Sequence, residues 1–315
     1  MASELSSLLE SIGDPTLTLG LLYSALPAKY ERAEMTEVVQ LAQRMIDLAD
    51  GDANKGNFII SSPLAGAIMF RGCARCYLGD PGWRADVEQS TTMVRAYDPT
   101  MRALMLLFKY ALIANGVWLP DAAAVQETAE LLEVAERSGD NLTLACARQV
   151  HALANYDAPH RQDIFALLAA VREAALQERY TLVAAMGVDT WLADEKARAG
   201  DVDGAIELSR VVVEQMYACG EVLALPKSIS TLVSALMSRG DPMDLSEAQS
   251  AIDRLAAVPT EPRFVMNNIW LLRMRAWEAQ ARADESAYRD YRDRYRAMAN
   301  SLGFEGHIKW ASEME

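Results

Sequence analysis

Residues 190–216 read TWLADEKARAGDVDGAIELSRVVVEQM, and this stretch decides the fold. Gly200-Asp201 divides it. Upstream, Ala193 stands seven residues before the glycine. Downstream, Ala205, Ile206, Ser209, Val212, Val213 and Met216 recur at the three- and four-residue spacing of one helical face. Glycine accepts the left-handed backbone that ends a helix, and the aspartate after it can accept from the free N–H groups of the next. So short a connection lays the two helices antiparallel. A residue as small as Ala193 lets them approach closely.

The same grammar extends in both directions. Gly13-Asp14-Pro15, Gly79-Asp80-Pro81, Gly139-Asp140 and Gly240-Asp241-Pro242 mark further breaks. Met35, Val38, Val39, Ala42, Met45, Ile46 and Ala49 trace one apolar face, as do Ile164, Leu168, Val171 and Ala175, and no stretch alternates with period two. Helix pairs start near residues 16, 63, 100, 141, 180, 222 and 262, at steps of 47, 37, 41, 39, 42 and 40. A near-constant step marks a helical repeat, in which each unit buries its apolar face only against its neighbours.

The step is longer than the tetratricopeptide value of about 34 residues, but the pattern is of that kind. Gly72 precedes Gly79 as Ala193 precedes Gly200, and the Ser228–Arg239 helix is a looser match with Val233 in the small position. The expected fold is all-α: a right-handed, tetratricopeptide-like superhelix of about seven antiparallel pairs, one domain over 1–315, shaped as a curved rod. Residues 51–62 form its one extended connection. A first helix near Ala2–Ile12 has no partner before it, which points to a piece of a longer protein.

Composition agrees. Ala, Leu and Met outnumber Val, Ile and Phe, and they lose little rotamer freedom in a helix. A net charge of −14 opposes nucleic-acid binding, which draws on Lys and Arg. The most apolar run, Ala103 to Leu119, carries Lys109 and Asn115, so it reads as a buried helix and not a membrane span. Four cysteines without a secretory signal fit a reducing cytosol.

Motifs that could carry chemistry read as packing or loop. Cys73-Ala-Arg-Cys76 has redox or half-zinc spacing, but no second such pair exists, and His151, His160 and His307 are scattered. Gly51 to Gly56 has phosphate-loop spacing without the following Lys and Ser/Thr. Asp194/Glu195 and Glu127/Glu130/Glu133 read as solvated helix faces. Residues 263–296 hold eight arginines against five acids, a docking face for an acidic partner or an exposed helix with i, i+4 pairs. Tyr288, Tyr291 and Tyr295 read as core. No catalytic residue, cofactor site or metal site is assigned.

Several runs carry a family resemblance: LLESIGDPTLTLGLL from Leu8, VVQLAQRMIDLADGDANKGNFIISSPLAGAIMFRG from Val38, LLEVAERSGDN from Leu131, DGAIELSR from Asp203, AQSAIDRLAAVP from Ala248, and AYRDYRDRYRAMANSLGFEGHIKWASEME from Ala287. They resemble the C-terminal helical-repeat tails of actinobacterial proteins with a class III adenylate/guanylate cyclase domain and an AAA/STAND-like ATPase domain. LuxR-type regulators are among the relatives. The resemblance implies a regulatory tail, with the cyclase and ATPase residues belonging to domains outside this sequence. The tetratricopeptide likeness implies binding on the concave face, at Met69, Cys73, Cys76 and Tyr77, then Thr190, Asp194, Ala197 and Arg198, then Ser230, Ser234, Met237 and Ser238. The expected partner is a protein or peptide, including the parent's own ATPase or cyclase domains. The alternative is a small-molecule sensor with a pocket lined by Trp191, Tyr110 or Trp270. An enzyme is the least expected reading.

Overall fold

Aspartate and proline set the helix starts in the computed structural model, which describes residues 13–156, 161–177 and 180–314. Asp14 accepts from the N–H groups of Thr16 and Leu17 at 2.8 and 3.2 Å and opens α1 (Pro15–Tyr23). Then come α2 (Leu26–Glu31), α3 (Met35–Ala49), α4 (Pro63–Leu78), α5 (Trp83–Met93), α6 (Pro99–Ala114), α7 (Ala122–Ser138) and α8 (Asn141–Ala154). They are followed by α9 (Arg161–Leu176), α10 (Leu182–Arg198), α11 (Val202–Cys219), α12 (Leu225–Arg239), α13 (Asp244–Ala256), α14 (Val265–Ala281), α15 (Glu285–Leu302) and α16 (Glu305–Ser312). Asp98, Asp121, Asp140, Asp201 and Asp284 cap α6, α7, α8, α11 and α15 in the same way. No strand occurs among the described residues. The helix read near Ala2–Ile12 lies outside them, as does His160.

Consecutive helices pack against each other along the chain, and leading helices of successive pairs also meet, as α4–α6, α6–α8, α10–α12 and α12–α14 do. This is a helical solenoid. In the first unit the leading helix is broken into α1 and α2, because Pro27, in the first turn of α2, supplies no N–H and cannot continue a helix. Residues 51–62 form the long connection expected, and the phosphate-loop spacing within it is a run of turns.

The array is not an open rod. The N–H groups of Val222 and Leu223, between α11 and α12, donate to the carbonyl of Glu31 at 3.0 and 3.1 Å. Glu305 and His307 at the start of α16 donate to the carbonyls of Val117 and Gly116 at 2.9 and 3.0 Å. Thr36 donates its N–H to Glu261 at 2.9 Å, and α14 packs against α4. The early units therefore close on the late ones. One core cluster runs from Leu19, Phe70 and Cys73 through to Trp270, Tyr295 and Phe304, while a second holds α6 to α10 around Leu106, Leu131, Val150 and Val188. Closure buries apolar surface that a rod would leave to water.

Candidate functional site

The closed array covers part of the face on which binding was expected. Met69, Cys73 and Cys76 are fully buried, and Tyr77 is 1% exposed. The Tyr77 ring lies 5.9 Å from that of Tyr30 on α2 and 6.4 Å from that of Phe264 before α14. Tyr30 of α2 and Phe264 before α14 pack over these positions, leaving only the edge of Tyr77 on a cavity. Burial pushes the Cys73 thiol up to about 12 and the Cys76 thiol up as well. Both pack as small apolar residues.

The later positions fare differently. Thr190 and Ser230 are buried, with the Thr190 hydroxyl 2.7 Å from that of Ser228, and Met237 is half-buried. Asp194, Ala197, Arg198, Ser230, Ser234 and Ser238 line one cavity of about 820 Å³, counting the solvent at its mouth. Lys227 and Thr231 of α12, Arg273 and Trp277 of α14, and Trp310 of α16 complete its wall. Trp191, Tyr156 and Leu153 edge its continuation toward α6. Beyond Trp191 and Lys227 a more apolar cavity of about 1040 Å³, again open to solvent, reaches Thr190, Tyr180 and the edge of Tyr77. Tyr180 stands between α8 and α10 and donates to Gln149 Oε1 at 2.9 Å.

Asp194 organises the polar end of the first cavity. Its carboxylate accepts from the Tyr156 hydroxyl at 3.0 Å, from Lys227 Nζ at 2.5 Å and from the Thr231 hydroxyl at 2.9 Å. Burial opposes its ionisation, but the charge and hydrogen bond of Lys227, the Thr231 hydroxyl and the Arg198 charge outweigh that and hold it below the usual carboxylate range. Lys227 and Thr231 are one turn apart on α12, so both reach the same carboxylate of the helix stacked beside it. Asp194 is therefore not on a solvated face, and neither is Glu127, which takes the Tyr110 hydroxyl at 2.5 Å and Lys109 at 3.1 Å. Helix-surface spacing alone does not show which exterior a neighbouring pair will cover.

Arg273 faces the same cavity from α14. Its guanidinium carbon lies 4.2 Å from the ring centre of Trp310, 4.6 Å from Trp277 and 5.5 Å from Trp270. Burial draws its pKa down, against the pull of Tyr295, Asp194 and Glu313. Of the aromatic residues expected to line a pocket, Trp191 does so, Trp270 lies buried behind Arg273, and Tyr110 edges a separate hollow beside Glu127.

Sequence reasoning found Asp194, Arg198 and Ser234 but missed Lys227, Thr231, Tyr156, Arg273, Trp277 and Trp310. A signal existed for two of them. Ala276 stands seven residues before Ala283-Asp284. The concave-face residues of the other units lie three before and one, four and five after their small residue, and the same offsets here select Arg273, three before it, and Trp277, one after. Ala283, with φ of +55°, occupies the place taken elsewhere by glycine, which hid the unit.

The cavity offers fixed charges, hydroxyls and indole faces. His307 is buried in packing, its Nε2 3.1 Å from the Asn115 carbonyl and its Nδ1 2.9 Å from the Tyr295 hydroxyl. Among the described residues no group of three or more His, Cys, Asp or Glu could hold a metal, and no helix is long and apolar enough to cross a membrane.

No protein-family model matches this chain, and no curated protein matches it. The groups in the cavity are able to meet a bound molecule by charge, hydrogen bond and ring contact.

Proposed function

We propose that this chain is a non-catalytic regulatory repeat that senses a small molecule in its central cavity and passes the signal to a protein partner. One observation carries the reading: a cavity of small-molecule size, walled by Asp194, Lys227, Arg273, Trp277 and Trp310, lies where α10, α12, α14 and α16 converge. These helices belong to different units of the closed array. A ligand touching all of them favours the closed arrangement over any looser one by its difference in affinity for the two. The resemblance to cyclase–ATPase tails supplies the partner, an upstream ATPase or cyclase domain in the cytosol, and we infer a right-handed winding of about seven pairs.

A thermal-shift panel of metabolites on the purified chain tests this, run beside an ATP turnover assay with Mg²⁺ and Mn²⁺. At least one compound is expected to raise the melting temperature with the logarithm of its excess, with no nucleotide consumed. A flat panel, or measurable turnover, overturns the proposal.

A further inference from the structure

Around the central cavity every cation but one has a carboxylate. Lys227 holds Asp194 at 2.5 Å, and Arg198 holds Glu195 at 2.9 Å. Arg273 has none. No ion pair or hydrogen bond reaches its guanidinium among the described residues, although three indole rings surround it. The rings attract the cation through their faces but accept none of its five in-plane N–H donors. A guanidinium drawn partly out of water with no acceptor raises the free energy of the fold.

Its neighbours in sequence differ. Arg275 pairs with Asp253 and Glu278, Arg282 with Glu278 and Arg294 with Asp290, while Arg296 donates to the carbonyls of Ala311 and Met314. Arg273 instead turns inward, onto a wall that already carries the hydroxyls of Ser230, Ser234 and Thr231.

We infer that Arg273, framed by its tryptophans, anchors the carboxylate or phosphate of a small organic acid whose apolar body lies along Trp310 and Trp191. The inference rests on the sensing role proposed above and names its ligand class. The guanidinium fork matches either anion with two parallel hydrogen bonds. With Asp194 already neutralised by Lys227, the charge left to be matched at this wall is positive. Water-poor surroundings strengthen the pairing.

Calorimetric titration of the intact chain with benzoate and with phenyl phosphate, against neutral benzamide, tests the assignment. Saturable binding of at least one anion is expected, with benzamide weaker by at least about tenfold. Arg273→Met should lose at least about tenfold in anion affinity yet melt at or above the wild-type temperature, because it removes an unmatched charge. A merely structural arginine would instead lower the melting temperature and leave anion binding alone. Should the methionine variant not fold, Arg273→Lys replaces it, keeping the charge without the fork, and again a clear loss of affinity is expected. Anion binding absent from the folded wild type, or unchanged in the variant that folds, overturns the inference. If neutral compounds bind and neither anion does, the anion assignment falls while sensing stands; a flat metabolite panel overturns both.

Discussion

Ala283 shows how a single residue can both strain a fold and conceal it. It joins α14 to α15 with φ of +55°, exposed to solvent, at the place where Gly200 serves between α10 and α11. The left-handed backbone costs an L-residue about 1–2 kcal/mol, and the methyl here packs on nothing that would offset it. Ala283→Gly is therefore expected to stabilise the chain by up to about 1 kcal/mol, after the extra entropy that glycine loses on folding. Urea denaturation reads this as a higher midpoint at unchanged slope, and a lower midpoint would show that the turn is not strained. The same alanine made the candidate site only half legible. Asp194, Arg198 and Ser234 precede a turn marked by glycine and could be placed, whereas Arg273 and Trp277 precede an unmarked one. Lys227 and Thr231 escaped for another reason: they share the inward stripe of α12 with Ser234 and Ser238, but the four positions transferred to that helix skip them.

Between neighbouring elements the controlling quantity is how closely two helices approach. A Cβ on Gly72 of α4 would lie 2.9 Å from Asp86 Cβ and 3.1 Å from the Trp83 carbonyl oxygen, so α5 sits nearly on the α4 backbone. Asp86 locks the pair from the side, accepting from Arg71 Nε and an Arg71 terminal nitrogen at 3.0 and 2.6 Å and from Arg75 at 2.8 Å. Gly72→Ala must push α5 outward and stretch that clamp, at a cost of about 1–3 kcal/mol. Equilibrium denaturation of the variant checks it; a stability equal to wild type would mean that the pair tolerates a wider spacing. Such pairs were readable in the sequence because their causes are local: a small residue, a cap, an apolar stripe. The split of α1 from α2 is also local, with Pro27 as its sign. Closure is not, since Thr36 meets Glu261 and Arg84 meets Glu305 across more than half the chain, and no periodicity records such a meeting.

Over the whole molecule, closure places two titratable groups in the seam with opposite dependence on pH. His307 bridges α15 and the turn after α6; burial and the nearby Arg273 charge hold its pKa well below 6.5, against the Asn115 carbonyl, so it folds neutral. Its unfolded form takes up a proton below about 6.5, so this contribution is complete above that pH and is lost on acidification. Glu221 stands beside the strap that donates to Glu31, and its carboxylate oxygen accepts from the Ala224 N–H at 2.9 Å. Burial, with help from the Glu31 charge, pushes its pKa up to about 7 against the Ala224 and Leu223 N–H groups. The unfolded chain releases that proton near 4.5, so its contribution is complete below 4.5 and is lost as pH rises toward 7. Between these limits the two slopes, each up to about 1.4 kcal/mol per pH unit, oppose one another. Removing either group should expose the other. Glu221→Gln keeps the acceptor oxygen, so it is expected to be more stable than wild type near neutrality and to lose stability more steeply on acidification. His307→Gln, without the Tyr295 and Asn115 bonds in their native geometry, should be less stable near neutrality and lose less below it. Urea denaturation of the three proteins from about pH 5 to pH 8 gives the slopes directly, with every other titrating group held in common. Parallel profiles would mean that neither group reports on the seam, and that the energy of closure lies in its apolar contacts alone.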